Sequence, residues 1–99
     1  MENGGDSFHS NDYSWNKEAN MLYIESPVGV GYSYAYSVGD HNYTDDAVAN
    51  DNLLAMISFY FNKFPEYIKN DLWISGESYA GIYVPYLALK IDKYNAKAP

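Results

Sequence analysis

Two brief apolar runs, Met21-Leu22-Tyr23-Ile24 and Leu72-Trp73-Ile74-Ser75, flank a stretch of helical periodicity, and this arrangement constrains the fold more than any other feature. Short continuous apolar runs bounded by turn residues have the pattern of strands buried on both faces. Glu25-Ser26-Pro27 ends the first run and Gly76 the second. Between them, Thr44 can cap a helix start, and Asp45 and Asp46 suit its positive end. Leu54, Ile57, Phe61 and Phe64 then recur at spacings of three and four, with Leu53, Met56 and Tyr60 as a second row. The pattern predicts a helix of about five turns. Phe64-Pro65 stops it, because proline disfavours helical backbone at the residue before it. A second helix is predicted from Tyr79 to about Tyr94, with Ile82, Tyr86, Leu89 and Lys93 on one row and Pro85 bending the axis. The order strand, helix, strand, helix predicts an α/β fold with parallel strands joined by a right-handed crossover, so that residues 72 to 75 lie extended beside 21 to 25.

Two strands make an incomplete sheet, since a two-stranded sheet is marginal and a parallel one needs helices on both faces. The 99 residues therefore read as a fragment of a single larger α/β domain that exposes apolar surface on its own. With 47% hydrophobic and 19% charged residues the chain has the composition of a packed protein and not of a disordered one. Thirteen acidic residues against six basic ones give a net charge of −7, which argues against a nucleic-acid partner. No apolar run approaches the ~20 residues of a membrane span, and the absence of cysteine excludes a disulfide framework or a thiolate metal site within the segment. Residues 1 to 16 read as a loop held down by Phe8, Tyr13 and Trp15, without the features of a signal peptide. Residues 28 to 43 form a long glycine- and tyrosine-rich loop, in which Tyr32, Tyr34 and Tyr36 either line a cleft or pack half-buried.

The chemistry concentrates in Trp73-Ile74-Ser75-Gly76-Glu77-Ser78-Tyr79-Ala80-Gly81, where a buried strand passes through small residues into a helix with a serine at the junction. That is the layout of a nucleophile elbow, in which the serine occupies strained backbone and its neighbours at minus two and plus two must be small. Gly76 and Ala80 meet the requirement, although Ala80 departs from the commoner glycine at plus two. The amino end of the following helix favours a developing anion, and the Tyr79 amide is placed to donate to an oxyanion. A serine that merely caps a helix after a glycine has the same sequence.

Three segments in order resemble the serine carboxypeptidases, which are α/β hydrolases with a Ser, Asp and His triad. Gly76-Glu77-Ser78-Tyr79-Ala80-Gly81-Ile82-Tyr83-Val84-Pro85 is similar to that family's nucleophile segment, residues 25 to 34 to its second signature, and Tyr13-Ser14-Trp15-Asn16 with Ala19-Asn20 to the segment before it. The resemblance covers nearly all of the chain from Glu2 onwards. It implies Ser78 as nucleophile, the Tyr79 amide as an oxyanion donor, and Glu77 and Glu2 as a carboxylate-binding pair. Two close carboxyls resist double ionisation, so such a pair retains a proton and binds a chain terminus best at acidic pH. Gly5 stands where the family usually places proline. The implied partner is the carboxyl terminus of a peptide or protein, no metal or organic cofactor is implied, and the implied location of the whole protein is lysosomal, vacuolar or secreted.

Neither His9 nor His41 matches the family's catalytic histidine, and its Asp and second oxyanion donor have no counterpart here. The chain alone is therefore expected to be inactive, because serine activation requires a nearby oriented base. Two alternatives stand beside the carboxypeptidase: an acyltransferase of the same family that passes the acyl group to an alcohol, and an inactive remnant that binds a partner. Asn42-Tyr43-Thr44 is an N-glycosylation sequon in a loop before a helix, or simply a turn with a threonine cap.

Overall fold

Thr44 has extended backbone, and its hydroxyl accepts a hydrogen bond from the Ala47 amide at 3.1 Å, which satisfies one of the free donors at a helix start. In the computed structural model, which describes residues 3–37 and 44–97, the helix that follows is α1, Asp45–Ser58. It runs on into a single π-helical turn over Phe59–Lys63. There the Phe64 amide donates to the Phe59 carbonyl at 2.8 Å, and Pro65 opens a short 3₁₀ turn, Pro65–Tyr67. The rings of Phe59, Phe64 and Tyr67 cluster at this end, with centroids 5.0 to 6.4 Å apart. The second helix, α2, spans Ala80–Asn95 with Pro85 inside it.

The two helices pack on each other, and every buried residue among those described belongs to them: Val48, Ala49, Asn52 and Met56 from α1, Leu87 from α2. A 2.7 Å ion pair between Lys90 and Asp46 joins them at the surface. Of the rows expected to face a core, the second row of α1 does, with Met56 buried and Leu53 and Tyr60 half-buried, but the others do so only in part. Leu54 and Phe61 of the first row are 63% and 55% exposed, and Ile82, Tyr86 and Leu89 of the second helix also face outward. Both helices are apolar on more than one side, and a helix can bury only the stripe its partner covers.

The α/β architecture is not observed. No strand occurs among the described residues, and the element order is two α-helices with short 3₁₀ and π turns. Residues 20–24 and 71–76 make no backbone hydrogen bond among the described residues, so 72 to 75 do not ladder onto 21 to 25. Both segments instead border an open cleft of about 1160 Å³, lined on its other sides by Asn52 and Met56 of α1 and by Tyr83, Val84 and Leu87 of α2. The reason is energetic: a ladder of two parallel strands gains too little to repay the entropy of ordering it, whereas two helices satisfy their own backbones and need only one contact face. Phe8, Tyr13 and Trp15 do not anchor the opening loop either, for all three rings are exposed.

The surface quantifies the incompleteness. The chain exposes 8346 Å², where a self-contained protein of its mass exposes about 5700 Å². Its radius of gyration is 15.8 Å, against about 12.6 Å for a compact domain of this length. No helix among the described residues is long and apolar enough to cross a membrane.

Candidate active site

The turn that leads into α2 is held by three successive short-range bonds. The amides of Ala80, Gly81 and Ile82 donate to the carbonyls of Glu77, Ser78 and Tyr79 at 3.1, 3.0 and 2.9 Å. Ser78 sits at its apex with φ +58°, and it is the one non-glycine residue in the left-handed region among those described. For a residue with a Cβ that conformation costs of order 1–3 kcal/mol, and it persists only where the surroundings fix it. Ser78 is exposed.

The small neighbours account for the tightness of the turn. A Cβ added to Gly76 would fall well inside contact distance of the Ala80 Cβ and 3.2 Å from Val84 Cγ2, whereas one on Gly81 would meet nothing within 4 Å. Ala80 at plus two is therefore the residue that faces Gly76 across the turn, and the glycine at 81 takes no part in that approach. Ala80 opens α2, so the positive end of the helix lies directly after Ser78. The Tyr79 amide donates to no acceptor among the described residues. Such a free donor at the head of a helix can meet negative charge that develops beside the serine oxygen.

The side chain of Tyr79 has a role that reading the sequence missed. Its hydroxyl donates to the Asp45 carboxylate, at 3.2 and 3.4 Å to the two oxygens, and its ring packs edge-on against Tyr83 with centroids 5.0 Å apart. The hydrogen bond to Asp45, supported by that carboxylate's charge, holds the Tyr79 hydroxyl above its ordinary ionisation range. It stays a proton donor at all ordinary pH. Thirty-four residues separate the partners, so no local pattern announces the contact. Asp45 had read as a complement to the helix dipole only.

Glu77 is exposed beside Ser78. Glu2, its expected partner, lies outside the described residues, as do His41 and the sequon asparagine Asn42. His9 lies exposed in the opening loop. Glu25 organises the second signature: its carboxylate accepts from the Tyr32 amide at 2.6 Å, and its carbonyl accepts from the Ser33 hydroxyl at 2.5 Å. Gly31 has φ +52°, and the Glu25 carboxylate occupies the place its Cβ would take. Tyr32, Tyr34 and Tyr36 project from this loop into solvent, with Tyr34 and Tyr36 edge to face at 5.3 Å.

The whole chain, residues 1–99, matches the profile of the serine carboxypeptidase family. It is 50% identical over 93 residues to serine carboxypeptidase ctsa-4.1 of Caenorhabditis elegans, covering 92% of this chain and 19% of that protein. It is 48% identical over 92 residues to serine carboxypeptidase 24 of Arabidopsis thaliana, covering 92% and 20%. It is 52% identical over 85 residues to serine carboxypeptidase-like 26 of Oryza sativa subsp. japonica, covering 85% and 17%. The chain thus spans about one-fifth of the length of these curated relatives. No solved structure matches it significantly. Matched from end to end by the family profile and half identical to relatives from animals and plants, the chain belongs to the serine carboxypeptidase family.

Proposed function

We propose that the whole protein carrying these residues is a serine-type carboxypeptidase with Ser78 as its nucleophile. The hydroxyl oxygen attacks the carbonyl of the last peptide bond, and its proton passes to a base and then to the leaving amino group as the C–N bond breaks. Water next attacks the acyl-enzyme, which releases the shortened chain and restores the hydroxyl. The Tyr79 amide donates to the oxyanion formed in both steps. Glu77, with Glu2, holds the substrate's terminal carboxylate through a shared proton, and this favours acidic conditions and a lysosomal, vacuolar or secreted location. The base comes from parts of the whole protein beyond these 99 residues.

The observation that supports this reading is the left-handed Ser78 on a turn closed by Gly76 and Ala80 at the head of α2. A serine that only capped the helix would sit in ordinary extended backbone, as Thr44 does at the start of α1. The test is to react the whole protein with a fluorophosphonate probe and to compare peptides ending in a free acid and in an amide. The expected result is one label per protein, lost in Ser78→Ala, with amidated peptides cut far more slowly. Glu77→Gln should raise KM for free-acid peptides by more than it lowers kcat. Labelling that survives Ser78→Ala removes the nucleophile assignment, and equal cleavage of acid and amide removes the carboxylate site.

A further inference from the structure

The left-handed conformation at Ser78 must be held from outside the turn as well as within it, because the hydrogen bonds of residues 77 to 82 are all local and open together when the first turn of a helix frays. One side-chain hydrogen bond ties this turn to a remote element among the described residues: the Tyr79 hydroxyl to Asp45 at the head of α1. We propose that Asp45 is a positioning residue for the nucleophile turn, which it fixes by holding the ring of Tyr79. The inference rests on Ser78 being the nucleophile, and it adds a residue that neither the family motifs nor the turn itself contains.

Several observations converge on the assignment. Tyr79 follows the strained serine directly, so any rotation of its backbone moves both the Ser78 ψ and the amide that faces the oxyanion. Its ring is restrained on two sides, by the Asp45 carboxylate at the hydroxyl and by the Tyr83 ring along its edge. Asp45 is itself fixed, being the first residue of α1 immediately after the Thr44 cap. The neighbouring Asp46 pairs with Lys90 of α2 at 2.7 Å, so two consecutive aspartates hold the head of α1 against α2. The contact joins a phenol that stays protonated to both oxygens of one carboxylate, at 3.2 and 3.4 Å on the surface. Restraint of this kind acts on reaction geometry and leaves substrate affinity unchanged.

The experiment compares Asp45→Ala, Asp45→Asn, Tyr79→Phe, the double variant Asp45→Ala/Tyr79→Phe and Ser78→Ala in the whole protein. It measures kcat and KM on a free-acid peptide, the rate of fluorophosphonate labelling and the thermal midpoint. Loss of one net hydrogen bond corresponds to a factor of about three to ten. Asp45→Ala and Tyr79→Phe should each lower kcat and the labelling rate by that factor, with KM within twofold. The double variant should be no slower than the slower single one, because both remove the same contact, and Asp45→Asn, which still accepts from the phenol, should keep at least half of kcat. Lowered thermal midpoints with unchanged kcat and labelling would make Asp45 merely structural and overturn the proposal. Multiplying losses in the double variant would overturn it as well. An active Ser78→Ala protein would overturn the nucleophile reading itself, an outcome separate from the other two.

Discussion

The substitution Gly76→Ala tests the turn at its tightest point. The added methyl collides with the Ala80 Cβ and comes within 3.2 Å of Val84 Cγ2. The valine can yield by a small rotation, but Ala80 is the first residue of α2, and its Cβ moves only if the helix head moves. Overpacking that forces backbone displacement costs about 1–3 kcal/mol. Ala80→Gly alone should cost up to about 1 kcal/mol through helix propensity. In the double variant Gly76→Ala/Ala80→Gly the methyl moves from one side of the turn to the other, so the collision with Ala80 disappears and only the strained Val84 contact remains. The two changes should therefore be coupled by about 1–2 kcal/mol in the favourable direction, within the range for residues in contact. Urea unfolding of the whole protein gives the cycle, and fluorophosphonate labelling follows it at Ser78, with Gly76→Ala slowed and the double variant partly restored. A Gly76→Ala protein as stable as its parent, or strictly additive changes, would show that residues 76 and 80 do not meet and would refute the reasoning.

The isolated 99-residue chain should fail to unfold cooperatively and should bind hydrophobic dyes, since it exposes roughly 2600 Å² more than a self-contained protein of its mass; a monomer with a sharp thermal transition in calorimetry would contradict this. The same isolated chain should react with fluorophosphonate barely or not at all for want of a base, and stoichiometric labelling lost in Ser78→Ala would show that no outside base is needed. Thr44→Ala should cost about 1 kcal/mol by removing the α1 cap, while Thr44→Ser should be close to neutral, as read from urea midpoints of the whole protein. Lys90 holds the Asp46 carboxyl below its ordinary value, so their pairing stabilises the fold above the usual carboxylate range and is lost as pH falls through the lowered value. Thermal midpoints of the parent and of Lys90→Met should accordingly converge below about pH 4, by a modest amount because Asp46 is exposed, and a constant gap at every pH would contradict the pairing.

What proved legible in the sequence was local. Thr44 as cap, the stop at Phe64-Pro65, the second helix to the mid-nineties and the close approach of Gly76 to Ala80 all follow from interactions within four residues, and each has its counterpart in the structure. The parallel sheet was not obtained, because the apolar runs at 21–24 and 72–75 specify only side chains that call for cover, and two helices do not supply it: Leu22, Tyr23, Ile24, Leu72 and Trp73 stay exposed. The apolar patterns of the helices named more inward rows than the structure covers, for a related reason. Leu54 and Phe61 are as apolar as Met56, and only the position of α2 decides which of them is covered. The contact between Asp45 and Tyr79 depends on that same docking.

The difference between what formed and what did not also separates the components of the site. A left-handed serine is unfavourable on its own, yet it persists in a chain that buries little surface, and so its support must come from groups already present. These are the methyl of Ala80 against Gly76, the three bonds that start α2 and the tie from Tyr79 to α1. Each of them closes over a short distance or across the one helix pair that packs. Under the proposed function, the base by contrast has to be brought to Ser78 from elsewhere and held there, which takes long-range order that two helices do not provide. Nucleophile geometry and nucleophile activation thus belong to different scales of the structure. The first can be damaged by a single methyl at position 76 while the second is untouched, and for that reason the Gly76 and Asp45 variants should lower the acylation rate without shifting the pH at which the base titrates.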